Sequence, residues 1–348
     1  MKKLTTLGAA LMLTTTAANA GGLDRSGQSI GAIFEDGRYV ELSYGHVMPS
    51  VTGVFMGSAD SGNIAPAYGS FGGAYKMDVD DKVSLAFIVD QPFGADVSYE
   101  QAGYPLVGTN AQVTSKSLTV LGRYKFNDNF SVHFGPRALQ AAGNVTITAP
   151  AAYMSTYQPG SGYGYVAGAA YERKDIALRV ALTYASGIDL ELDGDGAGGF
   201  GDLTVEMPSS WNLDFQSGVA ADTLVFGSIR HVAWSEAVIH DAAAGDLVSY
   251  DQDTTTYSLG VGRKFSDTFS GALSIGYEKA QGGLASNLAP TDGNMSIGLG
   301  GTYTLANGVE LTGGVRYVMP GDATTETIGA DFSNNSAIAV GLKVAYTF

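Results

Sequence analysis

Apolar residues alternate with small or polar residues along the last stretch of the chain, residues 336–348. The apolar positions are Ile338, Val340, Leu342, Val344, Tyr346 and Phe348. Because successive side chains of a β-strand point to opposite faces, this alternation predicts a strand with one apolar face and one thin polar face. The apolar face would meet a second sheet in a soluble sandwich, or lipid in an outer-membrane barrel.

The same alternation recurs along the chain between short and long connections. Short connections with Asn, Asp or Gly turn residues recur about every 46 residues. Long connections fall between them and include residues 91–112, 149–161, 189–201 and 237–249. Six short and seven long connections predict fourteen strands within residues 39–348. An even strand number, with short turns at one end and aromatic residues beside them, is typical of a transmembrane β-barrel.

Two further observations bear on this all-β, 14-stranded antiparallel barrel. The repeat length would also fit a secreted β-propeller, but each repeat holds two long strands rather than four short ones. Phe348 ends the chain on an alternating strand, as is typical of bacterial outer-membrane proteins. Both observations favour the barrel.

Residues 1–20 have the pattern of a secretory signal peptide. Lys2 and Lys3 precede an uncharged stretch, and Ala18-Asn19-Ala20 provides a cleavage site after Ala20. The uncharged stretch is too short to span a bilayer as a helix. Residues 21–38 lack strand periodicity, and we expect them to form a plug-like segment ahead of the barrel at 39–348.

Composition argues against several kinds of function. The chain has no cysteine, so it has no disulfide or thiolate site, and its net charge of −15 argues against nucleic-acid binding. The four histidines show no metal-ligand spacing. The G-x-S-x-G match at residues 27–31 lacks the strand and helix of a nucleophile elbow. The sequence predicts neither an enzyme nor a cofactor.

Four arginines occupy positions that face away from lipid in the predicted strands: Arg137, Arg179, Arg230 and Arg316. A charge that faces lipid at the midplane costs about 2–4 kcal/mol, so the inward position is favoured. Inside the barrel these side chains could bind the carboxylate of a substrate, or form a structural network with acidic residues such as Glu310.

An acidic stretch contains a candidate metal site. Asp189, Glu191, Asp193 and Asp195 alternate, so a strand end would place them on one face. Their oxygen atoms would suit a hard cation. The alternatives are a solvated acidic loop and divalent ions that bridge this loop to lipopolysaccharide.

Three motifs resemble the outer membrane protein transport family, typified by bacterial long-chain fatty acid transporters and aromatic-hydrocarbon channels. Gln91-Pro92-Phe93-Gly94 is similar to the family's kinked third strand. Residues 203–208, followed by Trp211, are similar to the apolar-Pro-x-x-Trp motif at which one of its strands starts. Trp234-Ser235 is similar to the end of the next strand. The resemblance implies a fourteen-stranded barrel with an N-terminal hatch and a sideways exit at the kink. This chain lacks the Asn-Pro-Ala motif of the family's hatch.

The third strand has two residues that disturb pairing. Pro92 removes a hydrogen-bond donor and Gly94 tolerates a bend. The strand could simply end there and become a loop. Together with the resemblance, however, these residues predict a lateral opening at Pro92, Phe93, Gly94 and Val97, with Phe93 and Val97 lining an apolar exit.

The sequence thus predicts a monomeric channel of the bacterial outer membrane for passive uptake of hydrophobic molecules, in first place long-chain fatty acids. Its surroundings would be outer-membrane lipid and lipopolysaccharide. A general porin for small hydrophilic solutes and a secreted β-propeller-like ligand-binding protein are the alternatives.

Overall fold

The computed structural model describes residues 22–196 and 201–348, and the predicted signal peptide lies outside them. In this part of the chain, fourteen antiparallel strands form one closed barrel, as predicted. We number them β1 to β14: Tyr39–Ser50, Tyr68–Asp78, Val83–Asp90 with Gly94–Ser98, Asn110–Lys125, Phe130–Ile147, Tyr153–Arg173, Leu178–Ala185, Ser210–Ala220, Thr223–Val232, Thr254–Lys264, Phe269–Glu278, Asn294–Thr304, Glu310–Pro320 and Ser336–Thr347. No helix among these residues is long and apolar enough to cross a membrane.

The barrel closes between its first and last strands. β1 pairs with β14 along its whole length, from Tyr39 opposite Thr347 to Ser50 opposite Ser336. Each remaining strand pairs with its neighbours in sequence. Closure matters because lipid cannot satisfy the hydrogen-bonding groups of an open sheet edge. This topology also excludes the β-propeller.

The two faces of the strands have the predicted character. On β14 the residues Ile338, Val340, Leu342 and Val344 are exposed on the outer surface of the barrel. The residues between them, among them Ala339 and Lys343, are buried. The outer wall is therefore apolar where lipid would cover it, and the small or polar residues fill the interior.

Aromatic residues ring the end of the barrel that carries the short turns. Phe130 lies 4.8 Å from Tyr171, and Phe265 lies 5.9 Å from Phe269, measured between ring centroids. The turns themselves follow local chemistry: the Asn127 side chain accepts hydrogen bonds from the backbone N–H groups of Asn129 and Phe130. This matches the predicted aromatic girdle at one membrane interface.

Several predicted long loops contain strands instead. β6 begins at Tyr153, inside the predicted loop 149–161. A four-stranded outer sheet consists of Ile188–Leu192, Leu203–Met207, Val238–Asp241 and Gly245–Ser249. A second small sheet consists of Gly53–Phe55, Ala59–Asp60, Leu284–Ala285, Ala323–Thr325 and Asp331–Phe332. These strands lie beyond the lipid-facing band, so their exposed faces are polar, and the apolar residues that alternate along Ile188–Leu192 and Leu203–Met207 are buried instead of facing outward.

The outer sheet closes over the interior with an apolar face. Leu190, Val205 and Met207 are buried in one cluster with Trp234 and Phe93. Leu23 belongs to the same cluster, so the described start of the chain is packed beneath the outer sheet. The N-terminal segment, which we call the plug (residues 22–38), therefore lies inside the barrel.

Candidate functional site

The plug is held by arginines of the barrel wall. Arg230 Nε donates a hydrogen bond of 2.5 Å to the Asp24 carboxylate. Arg137 donates to the side-chain oxygen of Gln28 and, over 2.8 Å, to Thr119. Both guanidinium groups thus have polar partners, which offsets part of the cost of removing them from water.

Phe34 fixes the other end of the plug. It ends the short 3₁₀ helix Gly31–Phe34, and its ring lies between two guanidinium groups. The Cζ atoms of Arg123 and Arg179 are each 4.7 Å from the ring centroid, and the ring of His133 meets Phe34 edge-on at 5.9 Å. Each cation–π contact contributes about 0.5–2 kcal/mol, the upper end applying to desolvated sites. Sequence analysis missed both Phe34 and Arg123.

The predicted arginines do not form one open carboxylate site. Arg137, Arg179 and Arg230 face the interior, as predicted, but each contacts the plug or a neighbouring strand. Arg316 lines a separate small cavity of about 30 Å³ that includes none of the other three. These contacts favour a structural role for Arg137, Arg179 and Arg230. That the four arginines bind substrate stays a prediction.

The third strand is interrupted at residues 91–93. Its first segment pairs with β2 up to Val89 opposite Gly73, whereas its second segment, Gly94–Ser98, pairs only with β4. Between them the chain turns toward the plug. The backbone N–H of Arg25 donates to the carbonyl of Pro92 over 2.7 Å, and the N–H of Gly94 donates to the carbonyl of Leu23 over 2.9 Å.

The interruption leaves one edge of β2 without a strand partner. Residues 68–72 pair with β1 but not with β3. Among the described residues, the side-chain oxygen of Gln91 accepts a hydrogen bond of 2.8 Å from the backbone N–H of Phe71. One side-chain contact therefore stands where a continuous strand would provide a ladder of backbone bonds.

Gly94 has a different role from the bend that the sequence suggested. A Cβ atom at this position would lie 2.6 Å from the guanidinium of Arg25. Arg25 in turn forms an ion pair of 2.7 Å with Asp96, and its guanidinium lies 3.8 Å from the ring centroid of Tyr68. The glycine thus provides space for the plug to reach the broken strand.

A cavity inside the wall and a groove outside it meet at this interruption. The inner cavity has a volume of about 140 Å³ and the outer groove about 840 Å³. Seven residues line both: Ser43, Tyr44, Phe71, Gly72, Val89, Asp90 and Gln91. Exposed apolar side chains dominate the groove, among them Leu42, Phe71, Leu118, Leu342 and Val344.

Phe93 and Val97 do not line either space, contrary to the predicted apolar exit. Phe93 turns into the barrel because its backbone pairs with Asp24, and its ring meets Trp234 edge-on at 6.2 Å. Val97 is buried with Tyr99 under the outer loops. The strand alternation that would have pointed them outward is broken at Pro92.

The acidic stretch lies partly on the outer sheet. Asp189 and Glu191 are exposed on one face of Ile188–Leu192, as their alternation predicts. Asp195 accepts a hydrogen bond of 2.6 Å from the backbone N–H of Thr156. Residues 22–196 and 201–348 contain no group of three acidic or histidine side chains placed to hold a metal ion. The cation site at Asp189, Glu191, Asp193 and Asp195 stays a prediction.

A third cavity lies at the short-turn end of the barrel, beneath the plug. It has a volume of about 350 Å³, and Phe34, Glu35 and Arg179 line it. Burial raises the pKa of Glu35 to about 7, and Glu41 and Glu310 act in the same direction. Arg179 and Lys343 oppose this rise. The plug therefore carries a carboxyl group that changes charge near neutral pH.

A sequence model of the family described as outer membrane protein transport protein (OMPP1/FadL/TodX) matches residues 4–348. The chain belongs to this family. It is a protein of the outer membrane, and its family is one of transport channels rather than enzymes. No curated protein matches the chain in a sequence search.

Solved structures of other proteins share the fold at low sequence identity. A Pseudomonas aeruginosa FadL homologue superposes with a TM-score of 0.79 at 13% identity, over 98% of each chain. The Pseudomonas putida toluene transporter TodX superposes with a TM-score of 0.70 at 12% identity, over 99% of this chain and 97% of that one. The Ralstonia pickettii toluene transporter TbuX superposes with a TM-score of 0.66 at 12% identity, over 95% of this chain and 96% of that one. At these identities the likeness shows the fold alone.

Proposed function

We propose that this protein is a passive channel for hydrophobic molecules, in first place long-chain fatty acids, which leave sideways through the interruption of β3. The family supports transport of hydrophobic molecules across the outer membrane. The lateral route is supported by two observations: the inner cavity and the outer groove meet at residues 71–72 and 89–91, and residues 68–72 of β2 have no partner in β3.

The physical case for a lateral route rests on where an apolar molecule is stable. Each CH₂ group that stays out of water is worth about 0.8 kcal/mol, so release into the periplasm would be costly for an alkyl chain. Passage through the wall leads directly into lipid. The groove of about 840 Å³ is apolar and several times larger than one aromatic ring, which favours a long alkyl chain as substrate.

A substitution at Gly72 tests this route. Gly72 lines both the inner cavity and the groove, and its nearest neighbour is the hydroxyl of Ser43, 2.9 Å from an added Cβ. Gly298 is a matched control, because its nearest neighbour is the hydroxyl of Ser274 at 2.8 Å and it lies away from β3. Gly94 is a poorer choice, since any side chain there would also displace Arg25.

We expect Gly72→Phe to abolish uptake of labelled long-chain fatty acid by whole cells, and Gly298→Phe to leave it near the wild-type rate. Both variants should remain folded, with the altered gel migration before boiling that is expected of barrels. Wild-type uptake by folded Gly72→Phe would refute the lateral route. Faster uptake of toluene than of fatty acid by the wild type would instead assign an aromatic substrate.

The general porin is the second candidate function, and the plug argues against it. Its ion pairs and the Phe34 contacts hold it across the lumen. Planar-bilayer recordings of the wild-type protein should therefore show little steady conductance. A large and stable open-pore current would favour the porin.

A further inference from the structure

We propose that Lys116 is the head-group site of the lateral opening, and that it binds the carboxylate of a fatty acid whose alkyl chain lies in the outer groove. This inference rests on the lateral route proposed above. It assigns to one residue the preference for an anionic amphiphile over an uncharged hydrocarbon.

Lys116 lies on β4 directly opposite the interruption of β3. Asp90 pairs with Ser117, and Gly94 pairs with Thr114. The three residues 91–93 therefore stand opposite two residues of β4, and Lys116 is one of these two. Its side chain lies on the exposed face of β4 and lines the outer groove.

The ammonium group of Lys116 has no partner in the part of the chain that the structure describes. No residue in 22–196 or 201–348 forms a hydrogen bond or ion pair with its side chain. Asp90 is the acidic residue among those that line the groove, but its carboxylate accepts hydrogen bonds from Ser26, over 2.7 Å, and from Ser117. Both of these donors are on the inner side of the wall. The cation is therefore available to a ligand that enters the groove.

The surroundings of Lys116 are polar on one side and apolar on the other. Lys116 pairs with Gln140, and Gln140 pairs with Ser161, which gives a polar row on the outer wall. The next outward-facing row toward the aromatic girdle is Leu118, Ala138 and Tyr163. All six residues line the groove. An amphiphile can thus place its head at the polar row and its chain along the apolar one.

The height of Lys116 in the membrane suits a carboxylate. It lies eight residues along β4 from Tyr124 of the aromatic girdle. With a rise of about 3.3 Å per residue and a strand tilt of about 40°, this separation corresponds to about 20 Å along the membrane normal. The apolar band of such barrels is about 25 Å tall, so Lys116 lies near its outer edge. A fatty acid in the outer leaflet has its carboxylate at this level.

The test compares two probes that differ only in the head group: a labelled long-chain fatty acid and the fatty alcohol with the same chain. We expect Lys116→Gln to lower the initial uptake rate of the acid about tenfold, the scale of one lost charge-assisted hydrogen bond, with alcohol uptake unchanged. Lys116→Glu should lower acid uptake further, and Lys116→Arg should retain it. Arg263→Gln is a matched control, because Arg263 is an exposed cation on the distant strand β10.

Three outcomes would overturn the proposal. If wild type and Lys116→Gln take up the acid at equal rates, and likewise the alcohol, Lys116 is only a charge at the membrane interface and does not bind the head group. An equal loss for acid and alcohol would point to a general role, such as holding a lipopolysaccharide phosphate beside the opening. A comparable loss in Arg263→Gln would indicate a surface-charge effect. Wild-type uptake by Gly72→Phe refutes the lateral route itself, so the two proposals fail by different observations.

Discussion

Removing the charge of Asp24 should release the plug without unfolding the barrel. Its ion pair with Arg230 spans 2.5 Å, and the two side chains are only 11% and 8% exposed. Loss of one partner of a buried ion pair costs about 3–5 kcal/mol when the other charge stays buried and unpaired. In Asp24→Asn the amide oxygen still accepts a hydrogen bond, and Arg230 keeps its bonds to Ser210 and Asn212. We therefore expect a smaller loss, about 2–3 kcal/mol.

Amide hydrogen exchange measures this loss directly. The loss applies to docking of the plug, because the barrel strands keep their own hydrogen bonds when the plug leaves. A change of about 2–3 kcal/mol raises the population of released plug, and hence the exchange rate of residues 22–38, about 30- to 150-fold. Exchange in β12 to β14 should be unchanged.

Asp36→Asn is the matched control on the same segment. The pair of Asp36 with Lys174 spans 3.4 Å, and the side chains are 75% and 68% exposed. Exposed pairs contribute about 0–1 kcal/mol, so exchange of the plug should change less than about fivefold. Equal exchange rates in the two variants would refute the reasoning. So would loss of the folded, heat-modifiable barrel in Asp24→Asn.

Three further predictions concern the same segment. Phe34→Ala should weaken plug docking by about 3 kcal/mol through lost packing and cation–π contacts, seen as protease cleavage within residues 22–38 of a folded barrel. The pKa of Glu35 is raised to about 7 in the docked plug. Below about pH 4.5 Glu35 is protonated in both the docked and the released plug, and docking should be strongest there. Docking should weaken as pH rises toward 7, because the released plug then loses the proton more readily than the docked one. Glu35→Gln should remove this dependence of exchange on pH. Mass spectrometry of the outer-membrane protein should find a chain that begins after Ala20.

The barrel could be predicted because lipid makes two strict demands. Outward side chains near the middle of the membrane must be apolar, and backbone groups that face lipid must be paired. The alternation from Ile338 to Val344 satisfies the first demand, and the pairing of β14 with both β1 and β13 satisfies the second. Few other structures satisfy both, so a pattern of period two was enough to predict the closed barrel.

Outside the membrane band the same demands do not apply, and there the sequence prediction was wrong. The start of β6 at Tyr153 falls in the predicted loop 149–161, and the strand Ile188–Leu192 of the outer sheet overlaps the predicted loop 189–201. The exposed faces of both meet water. Polar residues occupy such faces, so the outward apolar residues that mark a lipid-facing strand are absent, although Ile188–Leu192 still alternates with its apolar side chains buried.

The inward orientation of the lumen arginines could be predicted from the sequence, but their hydrogen-bond partners could not. Inward placement of Arg137 and Arg230 follows from the cost of facing lipid. Their partners Gln28 and Asp24 lie more than a hundred residues away in sequence, and the plug carries no periodic signal. The direction of Phe93 was wrong because an alternation rule counts residues along a continuous strand. The rule fails at residues 91–93 of β3, because these three residues stand opposite only two residues of β4 and the alternation of inward and outward side chains is shifted beyond them.

The plug and the interrupted strand β3 depend on each other for the same hydrogen bonds. Within the wall of a barrel, unpaired backbone groups cost several kcal/mol each where water is absent. The interruption of β3 leaves such groups at Pro92 and Gly94, and Leu23 and Arg25 of the plug satisfy them. Ser26 adds a side-chain bond to Asp90 at the rim of the break. Docking of the plug therefore stabilises the interrupted strand, and a substitution that releases the plug should also change the conformation of residues 91–93.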